Sequence, residues 1–174
     1  MFRARWSVAT ALAVAVAAAS PAAVSRAERI LVAPSASLGL PLGPTASLAT
    51  AISLDRGGLD NRSEPALILD GGLGVGGWRL SAGYGHAAYG DSEILWGTEL
   101  VGVRATILKT WGRPFNARAR ETYVGALAVL RIISNHDEVG VGVDFGALYR
   151  IDGPTDHGRL MPYVAIDAGR FFAF

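Results

Sequence analysis

From Val139 to Ile151 every second residue is apolar: Val139, Val141, Val143, Phe145, Ala147, Tyr149 and Ile151. The positions between them include Gly140, Gly142, Asp144, Gly146 and Arg150. A period of two marks an extended strand, because successive side chains point to opposite sides of the pleat. A helix with this sequence would scatter its apolar residues around the whole cylinder and bury no single face. The segment therefore constrains the chain to a sheet with one apolar and one polar side.

The same logic recurs in Trp78 to His86, where Trp78, Leu80, Ala82 and Tyr84 oppose Arg79, Ser81, Gly83 and Gly85. Weaker alternation occupies about 30 to 40, 45 to 55, 66 to 75, 94 to 109, 121 to 133 and 160 to 174. Turn chemistry separates these runs, in Pro41 to Pro44, Asp55 to Pro65, Gly76-Gly77, Ala88 to Glu93, Trp111 to Arg120, Ser134 to Glu138 and Asp152 to Arg159. Eight strands are predicted, and no helix. Pro34 predicts irregularity in the first strand. The 94 to 109 run has no clear register, because Glu99 falls on its more aliphatic face.

Several of these strands are ten residues or longer, against a mean of about 5 to 6 in soluble sheets. A strand crossing a bilayer needs about 9 to 11 residues, and bacterial single-chain barrels contain an even number of strands from eight upward. The expected architecture is an all-β, antiparallel up-and-down transmembrane β-barrel of about eight strands, filling residues 28 to 174 as one domain. On the polar faces, glycines mingle with Arg79, Arg104, Arg131, Asp144, Arg150 and Asp167. Exposed strands avoid glycine, whereas the lumen of a small barrel has room only for packed side chains. These six residues are accordingly expected to form a polar cluster that fills the lumen, leaving no large pore.

Residues 1 to 27 carry Arg3 and Arg5, the apolar run Val8 to Ala19, and Ser25-Arg26-Ala27, the pattern of a cleaved secretory signal peptide. The apolar run is too short to cross a bilayer as a helix. Residues 28 to 174 hold 13 basic and 15 acidic side chains, a net charge of −2. That balance gives nucleic-acid binding no electrostatic footing. The chain has no cysteine, which excludes disulfides and thiolate chemistry.

The chain ends Asp167-Ala-Gly-Arg-Phe-Phe-Ala-Phe174. Phe174, Phe172, Ile166 and Val164 share one face of this last strand, and Phe171 and Asp167 share the other. This ending resembles the C-terminal signature of bacterial outer-membrane β-barrels, in which a terminal phenylalanine closes an alternating strand read by the barrel assembly machinery. Taken with the signal peptide and long strands, the chain is similar to small eight-stranded members of that class. The resemblance implies a location in the bacterial outer membrane. It implies as partners the lipids of that membrane and, during biogenesis, signal peptidase and the assembly machinery, with the barrel a monomer. Phe174, Phe172, Ile166 and Val164 are then the assembly signal, and Arg170 departs from the hydrophobic residue expected at its position. Trp78, Tyr84, Trp96, Trp111, Tyr123, Tyr149 and Tyr163 are expected as interfacial girdles.

Other chemistry is sparse. Gly72-Leu-Gly74-Val-Gly-Gly77 matches a dinucleotide-binding string, but the following residues alternate as a strand instead of opening a helix, so it reads as a tight hairpin. His86, His136 and His157 fall at strand ends or in turns near Ser92, Ser134 and several acids, with no arrangement that identifies a nucleophile and its base. No catalytic, cofactor or metal residue is assigned, Asn135-His136-Asp137-Glu138 included. A structural or adhesive envelope role is expected. The alternatives are a barrel-rim esterase acting on membrane lipids and a soluble barrel that binds a small apolar ligand.

Overall fold

A computed structural model describes residues 27–54, 63–92, 95–112, 114–134, 138–152 and 160–173. The expected signal peptide, except for its last residue, and Phe174 lie outside these segments. The described strands are β1 (Ala27–Leu40), β2 (Gly43–Leu54), β3 (Ser63–Gly74), β4 (Gly77–Ser92), β5 (Leu95–Thr110), β6 (Thr122–Ser134), β7 (Val139–Arg150), β8 (Leu160–Arg170) and β9 (Phe172–Ala173). Each of β1 to β8 pairs antiparallel with the next, and β8 returns to β1. β9 continues β8 against β1 in the same register. The result is a closed eight-stranded antiparallel barrel, an architecture that abolishes sheet edges.

The chain's extended segments are longer than their alternation suggests. Ala88 to Glu93, expected as a connection, is strand as far as Ser92, because β4 keeps pairing with β5 up to Ser92 opposite Leu95. β3 likewise starts at Ser63 within the expected Asp55 to Pro65 loop. β1 pairs with β2 without a break from Arg29 to Gly39, Pro34 included, so on that side the irregularity is a register shift between Ala27 and Arg29 and not at the proline. The irregularity at the proline appears opposite: the ladder to β8 and β9 omits Ala33 and Pro34. Proline has no N–H to offer that ladder, whereas on the last strand's other side the Phe171 N–H donates to the Glu138 carbonyl (2.7 Å) and carries the β7 pairing one step past Val139 and Arg170. The soft register of the fifth strand is settled by pairing on both sides, Arg104 opposite Gly83 and Leu127.

The alternation sorts residues cleanly. Val139, Val141, Val143, Phe145, Ala147 and Tyr149 are exposed, while Gly140, Gly142, Asp144, Leu148 and Arg150 are buried. In β4 Leu80 and Tyr84 are exposed, and Arg79 and Ser81 are buried. The apolar sides of the strands thus form the outer wall, and the ionic sides form the interior.

Candidate functional site

The interior is built in three layers. At the end closed by the Pro41-Leu42 and Val75-Gly76 turns, Leu42, Leu108, Tyr123, Leu127, Leu148 and Met161 pack together. At the other end Ala51, Ala66, Ile68 and Leu100 form one apolar group, and Ala33, Ala49, Ile133 and Phe171 another. Between these lids lies an ionic layer. Arg79 Nη2 is 2.8 Å and Arg104 Nη1 2.6 Å from Asp70 Oδ2. Arg79 Nη1 is 3.0 Å from Asp144 Oδ2, to which Arg104 Nη2 also donates. Arg131 Nη2 donates to Asp167 Oδ2 at 3.2 Å and lies 3.9 Å from Asp144 Oδ1. Arg79 additionally donates to the Tyr163 hydroxyl.

Three arginines face three aspartates, so the layer is neutral, which is the condition for holding charges out of water. Gly142 provides the space. A Cβ there would lie 2.6 Å from Arg131 Cγ and 3.0 Å from Asp167 Oδ1. The ionic layer thus occupies the barrel interior between the apolar lids.

Of the six residues expected in the lumen, Arg79, Arg104, Arg131, Asp144 and Asp167 meet in this layer. Arg150 does not join them. It is buried nearer the turn end, where its Nη1 donates to Glu121 Oε1 at 2.8 Å and the Tyr123 hydroxyl donates to Glu121 Oε2. Asp70 and Tyr163 were missed. Asp70 is hidden in the apolar run Leu67-Ile-Leu-Asp70, but it sits two residues from Ile68 on the inward side. Its signal was the charge balance, since the four arginines assigned to the lumen with only Asp144 and Asp167 leave two positive charges unmatched, which Asp70 and Glu121 meet.

Two girdle expectations are corrected. Tyr123 and Tyr163 are buried at 5% and 2% exposure and point inward, where each hydroxyl finds a charged partner. Tyr84, Trp111 and Tyr149 are exposed. The Trp96 side chain lies outside the described residues.

The described residues expose 23 large hydrophobic side chains, 19 of them on the strands of the outer wall, including Leu38, Ile166 and Leu160 at 65%, 63% and 70%. If each presents roughly half of the ~100 Å² implied by the transfer energy of a Val or Leu side chain, the wall totals on the order of 1,000 Å². Soluble monomers rarely expose contiguous patches beyond a few hundred Å². Val164 and Ile166 of the expected assembly signal lie on this wall, and Phe172 is exposed beside them.

The two charged side chains in outward register among those described stand at opposite rims. Lys109, at the turn end, donates to Asp152 Oδ2 (2.9 Å) and to the Thr122 hydroxyl (2.7 Å). Arg170, opposite Val139 at the other rim, is 3.5 Å from Glu138 and lies over the Phe172 ring at 5.6 Å. A rim position accounts for an arginine in a strand that otherwise faces outward with apolar residues.

The loop carboxylates at the turn end are tuned. Burial pushes the Glu121 carboxyl up, but hydrogen bonds from Tyr123 and Arg150 outweigh it and hold it below the ordinary value. Burial also opposes ionisation of Asp152, and the hydrogen bonds from Thr122 and Lys109 leave it lowered. A carboxylate lowered on folding stabilises the fold above its unfolded pKa of about 4, and that stabilisation fades as pH falls through the folded value. Protection of the Thr122 amide, which donates to Asp152 Oδ1, should therefore drop below about pH 4. Asp152→Asn should flatten that dependence in hydrogen-exchange protection factors. A protection factor that is flat with pH in the parent would show that Asp152 does not hold this corner.

His86 is exposed on the outer wall, edge-on to Tyr84 at 5.5 Å between ring centroids. His136, Asp137, Asp156 and His157 lie outside the described residues, and no group of three or more His, Cys, Asp or Glu able to hold a metal occurs among those described. The Gly72 to Gly77 string is a hairpin, Gly74 pairing with Gly77 across a two-residue turn. No protein-family model matches the chain, and no curated protein or solved structure matches it significantly.

Proposed function

We propose that the chain is an integral outer-membrane β-barrel protein of the bacterial envelope, with a structural or adhesive role, no catalysis and no large pore. One observation carries this reading: the apolar side of the barrel faces out and its ionic side faces in. A soluble barrel has the opposite arrangement, because its interior is what must be kept from water. In lipid the inversion is favourable, and a closed barrel leaves no backbone edge without partners.

The dimensions agree with a bilayer. From Val139 to Ile151 the chain advances about 41 Å at 3.4 Å per residue. A strand tilted near 45° converts that to about 29 Å, close to the ~30 Å hydrocarbon layer. The rim positions of Lys109 and Arg170 bracket that height. The packed ionic interior supports a structural role over transport, and it leaves little room for the apolar ligand that a lipocalin-like barrel would hold.

Envelope fractionation of cells expressing the precursor tests the reading. The protein is expected in the outer-membrane fraction, with a mobility on denaturing gels that changes when the sample is boiled. Recovery from the periplasm without a heat-dependent shift would sink it. In planar bilayers no steady large conductance is expected, and such a current would overturn the filled interior.

A further inference from the structure

The two ends of the barrel differ in charge among the described side chains. At the turn end stand Lys109, Arg118, Arg120 and Arg150 with Glu121 and Asp152, a net +2. At the other rim stand Glu64, Glu138 and Arg170, a net −1. The buried ionic layer between them is neutral, so the cationic excess lies at the turn end.

The positive end also presents aromatic side chains. In the β5–β6 connection Trp111 and Phe115 are 38% and 54% exposed, and Arg118 and Arg120 are exposed a few residues on. The connection is fixed to the barrel. The Trp111 N–H donates to the Gly76 carbonyl and the Phe115 N–H to the Pro41 carbonyl, both at 2.8 Å. The Arg120 N–H donates to the Thr110 carbonyl at 2.8 Å, and the Thr110 hydroxyl donates to the Arg118 carbonyl at 2.5 Å. These bonds hold Asn116 and Arg120 at φ values of 57° and 68°, which non-glycine residues seldom adopt. Aromatic and cationic groups are thus presented together on a rigid platform beside the apolar wall.

We propose that this connection is a docking rim for anionic lipid headgroups, with Trp111 and Phe115 at the glycerol level and Arg118 and Arg120 against phosphate. The inference rests on reading the outer wall as bilayer-facing. Aromatic rings favour the headgroup boundary, and guanidinium groups match phosphate oxygens in paired hydrogen bonds. At the opposite rim, among the described side chains, the one arginine, Arg170, is paired with Glu138, so no comparable cationic cluster faces the same layer.

The test uses the full barrel folded in dodecylmaltoside micelles and titrated with dihexanoyl phosphatidylglycerol, dihexanoyl phosphatidylcholine or inorganic phosphate, followed by tryptophan emission. Phosphatidylglycerol is expected to bind at least about tenfold more tightly than phosphatidylcholine, from two basic groups each worth about a factor of five near an anionic surface. The double variant R118Q/R120Q should weaken phosphatidylglycerol binding about thirtyfold on the same basis. Arg170→Gln, at the far rim, should leave it unchanged. Equal binding of the two lipids, or a double variant that binds like the parent, would overturn the proposal. So would inorganic phosphate binding as tightly as phosphatidylglycerol, which would make the site one for free anions. Boiling-dependent gel mobility, read on every variant, separates the failures. Its absence in the parent sinks the bilayer reading and the rim with it, whereas its presence without a lipid preference sinks the rim alone.

Discussion

Asp144→Asn is expected to cost about 3 kcal/mol of stability, the lower part of the range for breaking a buried ion pair. Asp144 Oδ2 serves both Arg79 and Arg104, and its Oδ1 is the atom nearest the third arginine, Arg131. The amide is almost the same size, so the variant makes no cavity. What it removes is one negative charge from a neutral set of six, which leaves three guanidinium groups sharing Asp70 and Asp167. At urea slopes of about 1 to 3 kcal/mol per molar, the midpoint should fall by about 1 M or more. The second variant fixes the cause. Arg79→Gln added to Asp144→Asn restores charge balance and should recover part of the loss, giving a coupling energy of at least about 1 kcal/mol in a double-mutant cycle. A single variant as stable as the parent would show that the layer does not act as a balanced unit. Strict additivity would show the same.

Val143→Arg distinguishes the two solvents the outer wall could face. Val143 is exposed at 37% and adjoins Asp144, level with the ionic layer, whereas Val139 lies at the rim opposite Arg170. In a bilayer an arginine at mid-depth costs about 2 to 4 kcal/mol, falling to about 0 to 1 near the boundary. In water both changes fall on an exposed surface and should stay within about 0.5 kcal/mol. Urea titration of each variant refolded into lipid vesicles should therefore give a clear loss for Val143→Arg and little for Val139→Arg. Equal and negligible costs would argue that this wall does not contact hydrocarbon.

Much of the architecture was legible because it depends on local alternation. The run from Val139 to Ile151 specifies its own two faces, and five of the six ionic residues assigned to the lumen meet in one layer there, Arg104 among them although its strand showed no clear register. Asp70 escaped because a single acid in Leu67-Ile-Leu-Asp70 looks like the end of an apolar run; its role depends on Arg79 and Arg104 from two other strands. Tyr123 and Tyr163 were misplaced because a phenol suits a bilayer boundary and a buried ionic partner equally well, and only the register decides between them. The interruption at Phe171 could not be read from the last strand at all, since it lies opposite Ala33 and Pro34 at the far end of the sequence. Arg170 looked anomalous for a related reason: Glu138 and the rim that accommodate it become visible only once β7 and β8 are paired.

The seam between β1 and β8 also sets an order of events. Every other ladder joins neighbours in the chain and can form as soon as both strands exist. This one joins Ser35–Leu40 to Val164–Gly169, across more than 120 residues. Until it forms, the sheet has two open edges, and in the bilayer proposed above hydrocarbon would offer nothing to satisfy them. The long-range step is thus both the slowest kind of contact to make and the one on which a closed barrel depends. A chain shortened before Leu160 should not yield a smaller barrel with seven strands. It should yield no stable barrel, because here completeness is decided at one place and all at once.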